Sequence, residues 1–313
     1  MRAKDMDHNS QVFLLALLSA WGPAAEPAIP ELLAILPRHP LGAGSALAAI
    51  AGPLPAAIET LSQAAAAGTV TQRLTAATTL RSLTGDDEPL LAAIEQGLRQ
   101  RGYELRAAAR AARTLSTSAR RLVPALTTAL HAAVGPDATA PDISARIQLA
   151  LALWHHTGDA ASAIPVLADG LGRDPRRSGR WTAIHAADAA AVIGAAAKPL
   201  IPAILPLLDD PAQCPAAVHA LLRIDPRSHG GVDLAVLADR LVTAVGTDCG
   251  PQQRAVAALG EIGPGRLPPA AVNQLRHLAE QDQRIIRSGL LTDIIRNDER
   301  LRTAIRQLLN QRG

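Results

Sequence analysis

The chain has 313 residues, of which 48% are hydrophobic, 19% charged and 2% aromatic, and its net charge is +3. Globular domains average about 25% charged residues, so this surface is lean in charge, and +3 over this length is too weak to imply nucleic acid by itself. Two cysteines, Cys214 and Cys249, show no C-x-x-C spacing, which excludes the zinc and redox patterns built on that motif; free buried thiols are the expectation, with a disulfide between these two, about one repeat apart, as the alternative.

Residues 1–9 are polar and read as a frayed start. Residues 11–21 read as a helix that is apolar on nearly every side, inside an N-terminal capping segment 10–22 or the remnant of a preceding repeat. A signal peptide is not expected there, because Arg2 and Lys4 are cancelled by Asp5 and Asp7. Nor does an uninterrupted apolar run reach the roughly 18 residues a membrane helix needs. Residues 41–58 carry no charge but are broken by Gly42, Gly44, Gly52, Pro53 and Pro55. The expectation is a cytoplasmic monomer that does not insert into a membrane.

Eight helix pairs follow. They are 26–37 with 41–51, 55–67 with 71–83, 88–99 with 104–115, 119–133 with 142–156, 160–171 with 178–193, 197–208 with 211–224, 232–245 with 251–262, and 268–281 with 284–296. A last helix over 299–311, within a capping segment 298–313, brings Gln307, Asn310 and Gln311 to a polar outer face. First helices carry an apolar-Pro pair, as at Ile29-Pro30, Val123-Pro124, Ile164-Pro165 and Ile201-Pro202. Proline is tolerated in a first turn, where its missing N–H would be unbonded anyway. Second helices carry an arginine near their start, at Arg73, Arg106, Arg146 and Arg254, and end before a glycine, as at Gly85, Gly158, Gly194 and Gly263.

The pairs are also copies of one another. Thr84-Gly85-Asp86 recurs as Thr157-Gly158-Asp159, and Gly97-Leu98 as Gly170-Leu171, each with an offset of 73 residues, or two units of 36 to 37. Gly22, Ala24, Pro27, Ile29, Pro30, Leu33 and Leu36 recur as Gly194, Ala196, Pro199, Ile201, Pro202, Leu205 and Leu208. A fixed period in the 30s is the sequence sign of stacked helical repeats. The expected fold is therefore all-α: an α-solenoid of about eight helix pairs plus terminal capping helices, read as a single array over 1–313.

The run Arg254-Ala-Val-Ala-Ala-Leu-Gly-Glu-Ile-Gly263 and the step from Ala152-Leu153-Trp154 into Thr157-Gly158-Asp159 resemble HEAT repeats, especially the bacterial group that includes the phycobilisome-lyase type. The resemblance covers about residues 11–297. It implies a right-handed superhelix with the second helix of each pair lining the concave surface. It also implies, as further readings, a nucleic-acid binder of the HEAT-like DNA-glycosylase type or a bilin-lyase-like enzyme. For the glycosylase reading the nearest ingredients are Trp154, Trp181, Asp159 and Asp188.

Charge marks two candidate sites. Residues 99–121 hold seven arginines against Glu104 alone, and Arg106, Arg110 and Arg113 share one helix face by their spacing of four and three. Guanidinium groups in such a stripe can bind carboxylates or phosphates bidentately. The second cluster is Arg173, Arg176, Arg177 and Arg180, followed by Trp181; arginine beside tryptophan is enriched at binding hot spots. The recurring Arg73, Arg106, Arg146 and Arg254 read as a structural ladder bonding inter-repeat turns. His155 and His156 are adjacent and point about 100° apart on a helix, and His156 stands where Leu83 stands in the matching repeat, so they read as core or edge histidines. No Gly-rich phosphate loop, catalytic triad order or metal-ligand spacing is present. The functional expectation is a non-enzymatic scaffold, without cofactor or metal, that binds a protein partner through its concave face or a loop rim.

Overall fold

Helix ends fall where glycine and proline place them. The computed structural model describes residues 8–36, 39–52, 54–116, 119–132, 140–172, 179–248, 250–287 and 291–311, and it is all-helical, with no strand among the described residues. Gly85 and Gly158 stop two of the longest helices at φ +75° and +73°, a left-handed conformation that glycine enters without a Cβ clash.

The chain falls into two compact units, Met1–Gly158 and Asp159–Gly313. The first contains α1 (His8–Trp21), α2 (Ile29–Ile35), α3 (Pro40–Ala51), α4 (Pro55–Ala67), α5 (Val70–Thr84), α6 (Glu88–Gly97), α7 (Gly102–Ala112), α8 (Val123–Ala132) and α9 (Ala140–Thr157). These helices stand in two rows. In one row α2 packs on α4 and α4 on α6; in the other α1, α3, α5, α7 and α9 each pack on the next. Each helix of the first row also packs on the helix that follows it in the chain, α8 on α9 included. The core between the rows is leucine and alanine: Leu32, Leu36, Ala43, Ala46, Leu47, Ala57 and Leu61 are all buried. Glycine sets the spacing at Gly97, where an added Cβ would stand 2.6 Å from the Cβ of Ala108.

The second unit contains α10 (Ala163–Leu171), α11 (Arg180–Ile193), α12 (Ile201–Ile204), α13 (Cys214–Ile224), α14 (Leu234–Gly246), α15 (Gln252–Ile262), α16 (Pro269–Glu280) and α17 (Leu291–Asn310). The same two rows recur within it: α10 packs on α12 and α14 on α16, while α11, α13, α15 and α17 pack in succession. Cys214 is buried at the start of α13; Cys249 lies outside the described residues.

Two sequence expectations are corrected. The helices expected over 26–37 and 197–208 are broken: a seven-residue 3-10 turn over Gly22–Ala28 precedes α2, and another over Gly194–Leu200 precedes α12, with a third 3-10 segment at Leu205–Asp209. Pro27, Pro199 and Pro206 each remove a backbone donor and crowd the preceding turn, so the sequence echo between these segments is also a shared backbone solution. The second correction is at the C-terminus. The helices expected over 284–296 and 299–311 are replaced by α17, a single 20-residue helix, while 281–287 are non-helical. Asp298, expected at a boundary, instead stands inside α17 and fastens the loop. Its Oδ1 accepts the amides of Ile285 and Ile286 at 2.7 and 3.0 Å, and its Oδ2 accepts Arg302 Nε at 2.8 Å. Arg302 then donates to the carbonyls of Gln281 and Gln283 at 2.6 and 2.7 Å. This joins the end of α16 to α17.

Arg180–Asp209 is the one stretch among the described residues long and apolar enough to cross a membrane by length and composition, which the sequence reading had not singled out. Gly194 turns the chain in its middle at φ +71°, and Ala186, Ala187, Ala190, Ile193, Leu200 and Ile204 are buried.

Candidate functional site

The arginine stripe of the first unit lies on α7. Gly102, at φ +58°, opens the helix, and Tyr103 follows with 67% of its surface exposed. The guanidinium of Arg106 lies over the Tyr103 ring, 5.1 Å from its centroid, a cation–π contact that fixes a long flexible side chain. Arg110 is exposed one turn on. Arg113, just past the helix end, is half-buried and donates to Gln148 Oε1 of α9 at 3.2 Å. Burial pulls the Arg113 pKa down, and the neighbouring charge of Arg110 pulls it further the same way. Neither Arg106 nor Arg110 has a carboxylate within ion-pair distance among the described residues.

Charge is sorted between the two rows of this unit. The first-row helices α2, α4 and α6 carry Glu31, Glu59, Glu88 and Glu95 and no lysine or arginine. In the second row, α3 carries no charge, α5 carries Arg73 and Arg81, and α7 carries Arg106 and Arg110. The acids of the second-row helices, Glu104 and Asp142, both stand in first turns, where a carboxylate complements the helix dipole.

The second predicted cluster is only partly on view. Arg173, Arg176 and Arg177 lie outside the described residues. Arg180 Nε stands 3.3 Å from Asp210, so its charge is matched. Trp181 is 65% exposed in the first turn of α11. Two further aromatics, Phe13 and Trp21, are exposed on α1.

The arginine ladder does not take the form expected. Arg73 Nε donates to the carbonyl of Gly68 at 2.8 Å, in the turn within its own helix pair rather than in an inter-repeat turn, and Arg73 also reaches Gln96 on α6 of the next pair. Arg106 stacks on tyrosine instead. Arg254 reaches past its own turn to Asp188 of α11. Burial lowers the Arg254 pKa, and Glu261 opposes that shift. Asp188, an acid the glycosylase reading would draw on, is therefore held in an ion pair.

The histidine pair is structural. His155 Nε2 lies 3.0 Å from the carbonyl of Leu115, and His156 Nε2 lies 3.0 Å from that of Ala112. His156 is buried, and its Nδ1 has no hydrogen-bond partner among the described residues. No group of three His, Cys, Asp or Glu among the described residues could hold a metal ion.

Sequence reasoning grouped Arg106, Arg110 and Arg113 and missed two members of the set. Tyr103 sits three residues before Arg106, so the i, i+3, i+7, i+10 spacing was a usable signal. Gln148 comes from α9, and nothing local announces it. Searches against protein-family models, curated proteins and solved structures returned no match to this chain.

Proposed function

We propose that the chain is a HEAT-like α-solenoid that serves as a non-enzymatic scaffold and binds a protein partner through its concave face, the face that second-row helices line by the resemblance to HEAT repeats. The row packing within each unit, the seven-residue 3-10 turns at matching repeat positions and the 73-residue echo support the solenoid reading. The binding reading is carried by one observation: α7 presents exposed Tyr103 and Arg110 and half-buried Arg106 along one face, with no acid matching the two arginines among the described residues. An exposed aromatic beside fixed guanidinium groups is the composition of an interface anchor, and the unmatched charge steers an oppositely charged partner toward the face.

Affinity capture from the native host tests this. The double reversal R106E/R110E is expected to reduce capture of the specific partner about tenfold or more with helicity unchanged by circular dichroism. Undiminished capture would remove the α7 face from the account. Retention of the wild-type protein on DNA, falling steeply with salt, would point to nucleic acid instead.

A further inference from the structure

We propose that the Arg106–Arg110–Arg113 stripe of α7 receives a short acidic peptide segment, with carboxylates held by Arg110 and Arg113 and an apolar neighbour laid against Tyr103. This rests on the partner-face reading above and gives that partner its chemistry.

Two other arginines of the same unit show what a matched guanidinium looks like here. Arg81 Nε is 2.6 Å from Asp87. Arg121 holds Glu88 with two bonds of 2.9 Å. Along the α7 stripe, by contrast, Arg106 and Arg110 have no acid partner among the described residues, and Arg113 meets only a neutral amide among them. A half-buried guanidinium beside a second one is costly while no anion is present, because desolvation and like-charge repulsion act together. A carboxylate placed between them reverses both effects, and arginine's planar fork fits its two oxygens. The Arg106–Tyr103 stack holds the third guanidinium in place before binding, which lowers the ordering cost.

Length selects the class of anion. From Arg106 to Arg113 the rise is about 10 Å, the span of roughly three residues of extended peptide. Each phosphate neutralised adds to the salt-dependent affinity for nucleic acid, and strongly salt-dependent binders make about 6–10 such contacts, more than three arginines supply. A longer polyanion would also run toward Glu104 and Asp142 in the first turns of α7 and α9. On α5, Thr71, Thr75, Thr78 and Ser82 are exposed or half-buried hydroxyls, and Arg81, paired with Asp87, donates to the carbonyl of Thr114 beside Arg113.

Fluorescence anisotropy on the full chain tests the proposal, using a short labelled Asp/Glu peptide, its Asn/Gln counterpart and an oligothymidylate of equal charge. The acidic peptide is expected to bind at least tenfold more tightly than either control. R110Q should weaken it about tenfold, and R276Q in the second unit should leave it unchanged. R110Q should also leave the melting temperature of the unliganded protein equal to or above that of the wild type, since it removes a like charge from Arg113. Absence of peptide binding, equal loss in R276Q, or an R110Q affinity within twofold of wild type would overturn the proposal. Tighter binding of the oligothymidylate would overturn it in favour of nucleic acid. If the peptide fails while host capture still depends on Arg106 and Arg110, the partner face stands and the acidic segment falls. If the peptide binds while capture ignores those arginines, the anion site stands and the partner face falls.

Discussion

His156 makes the stability of the first unit depend on pH. Its Nε2 is tied to the carbonyl of Ala112, so protonation must occur at Nδ1, which is buried without an acceptor. Desolvation lowers its pKa, the bond to Ala112 opposes the shift, and the charge of His155 adds to it. The unfolded chain therefore takes up this proton first as pH falls. The stability associated with neutral His156 is complete above the unfolded value of about 6.5 and is lost as pH drops below it toward the folded value. Wild-type protein is expected to lose up to about 1 kcal/mol per pH unit over that window. H156L, which installs the residue found at the matching position Leu83, should flatten the loss in urea titrations at pH 7.5 and 5.5. An equal pH slope in both proteins would sink this account. The repeat register made His156 legible as a core residue, because it shows which side chain the position expects. It did not reveal the Arg254–Asp188 pair: recurrence suggests a local partner, and this one lies on another helix of the row.

Close approach between helices of the second row is set by single small residues. Gly44 on α3 faces Thr79 on α5, and a Cβ at Gly44 would overlap the Thr79 Cγ2 methyl. Thr79 is buried and β-branched, so it has little freedom to turn away. Overpacking of this kind costs about 1–3 kcal/mol, against the roughly 1 kcal/mol that alanine gains over glycine in a helix. G44A is expected to lower stability by roughly 1 kcal/mol net, and T79A added to it should restore most of the loss, a coupling read from a double-mutant cycle in urea. Strict additivity would show that α3 and α5 are spaced by something else. Elements were legible where punctuation is local. Gly85 marks the end of α5 in the sequence; its start, a capping box of Thr69 and Gln72, is as local but is not among the sequence expectations. The C-terminus was misread because Arg284-Ile-Ile-Arg287 has helical periodicity and no proline or glycine, while the groups that hold it as a loop, Asp298 and Arg302, lie on the next helix. There, burial pushes the Asp298 carboxyl up, but Arg302 and the amides of Ile286 and Ile285 outweigh it and hold the pKa below the usual carboxylate range. That latch contributes fully above about pH 4 and is lost as pH falls through the folded value.

Across each unit, helices are buried by their immediate neighbours, and what the packing leaves uncovered differs between rows. In the first unit the first-row helices carry glutamates and no arginine, while the second-row helices carry arginines and have acids only in first turns, so the two rows offer different charge to a partner. This division was invisible while the arginines of 99–121 were read as one run, because Arg99 and Arg101 precede α7 and Arg120 and Arg121 follow it, with Arg121 consumed by Glu88. Only the helix boundaries separate the exposed stripe from these. Hydrogen exchange on the complex captured from the host is the most direct test of the proposal that the arginine-bearing face is the one occupied. Amides of α5 and α7 should exchange more slowly in the complex than in the free protein, with α4 and α6 unchanged. Slowing confined to α4 and α6 would contradict it.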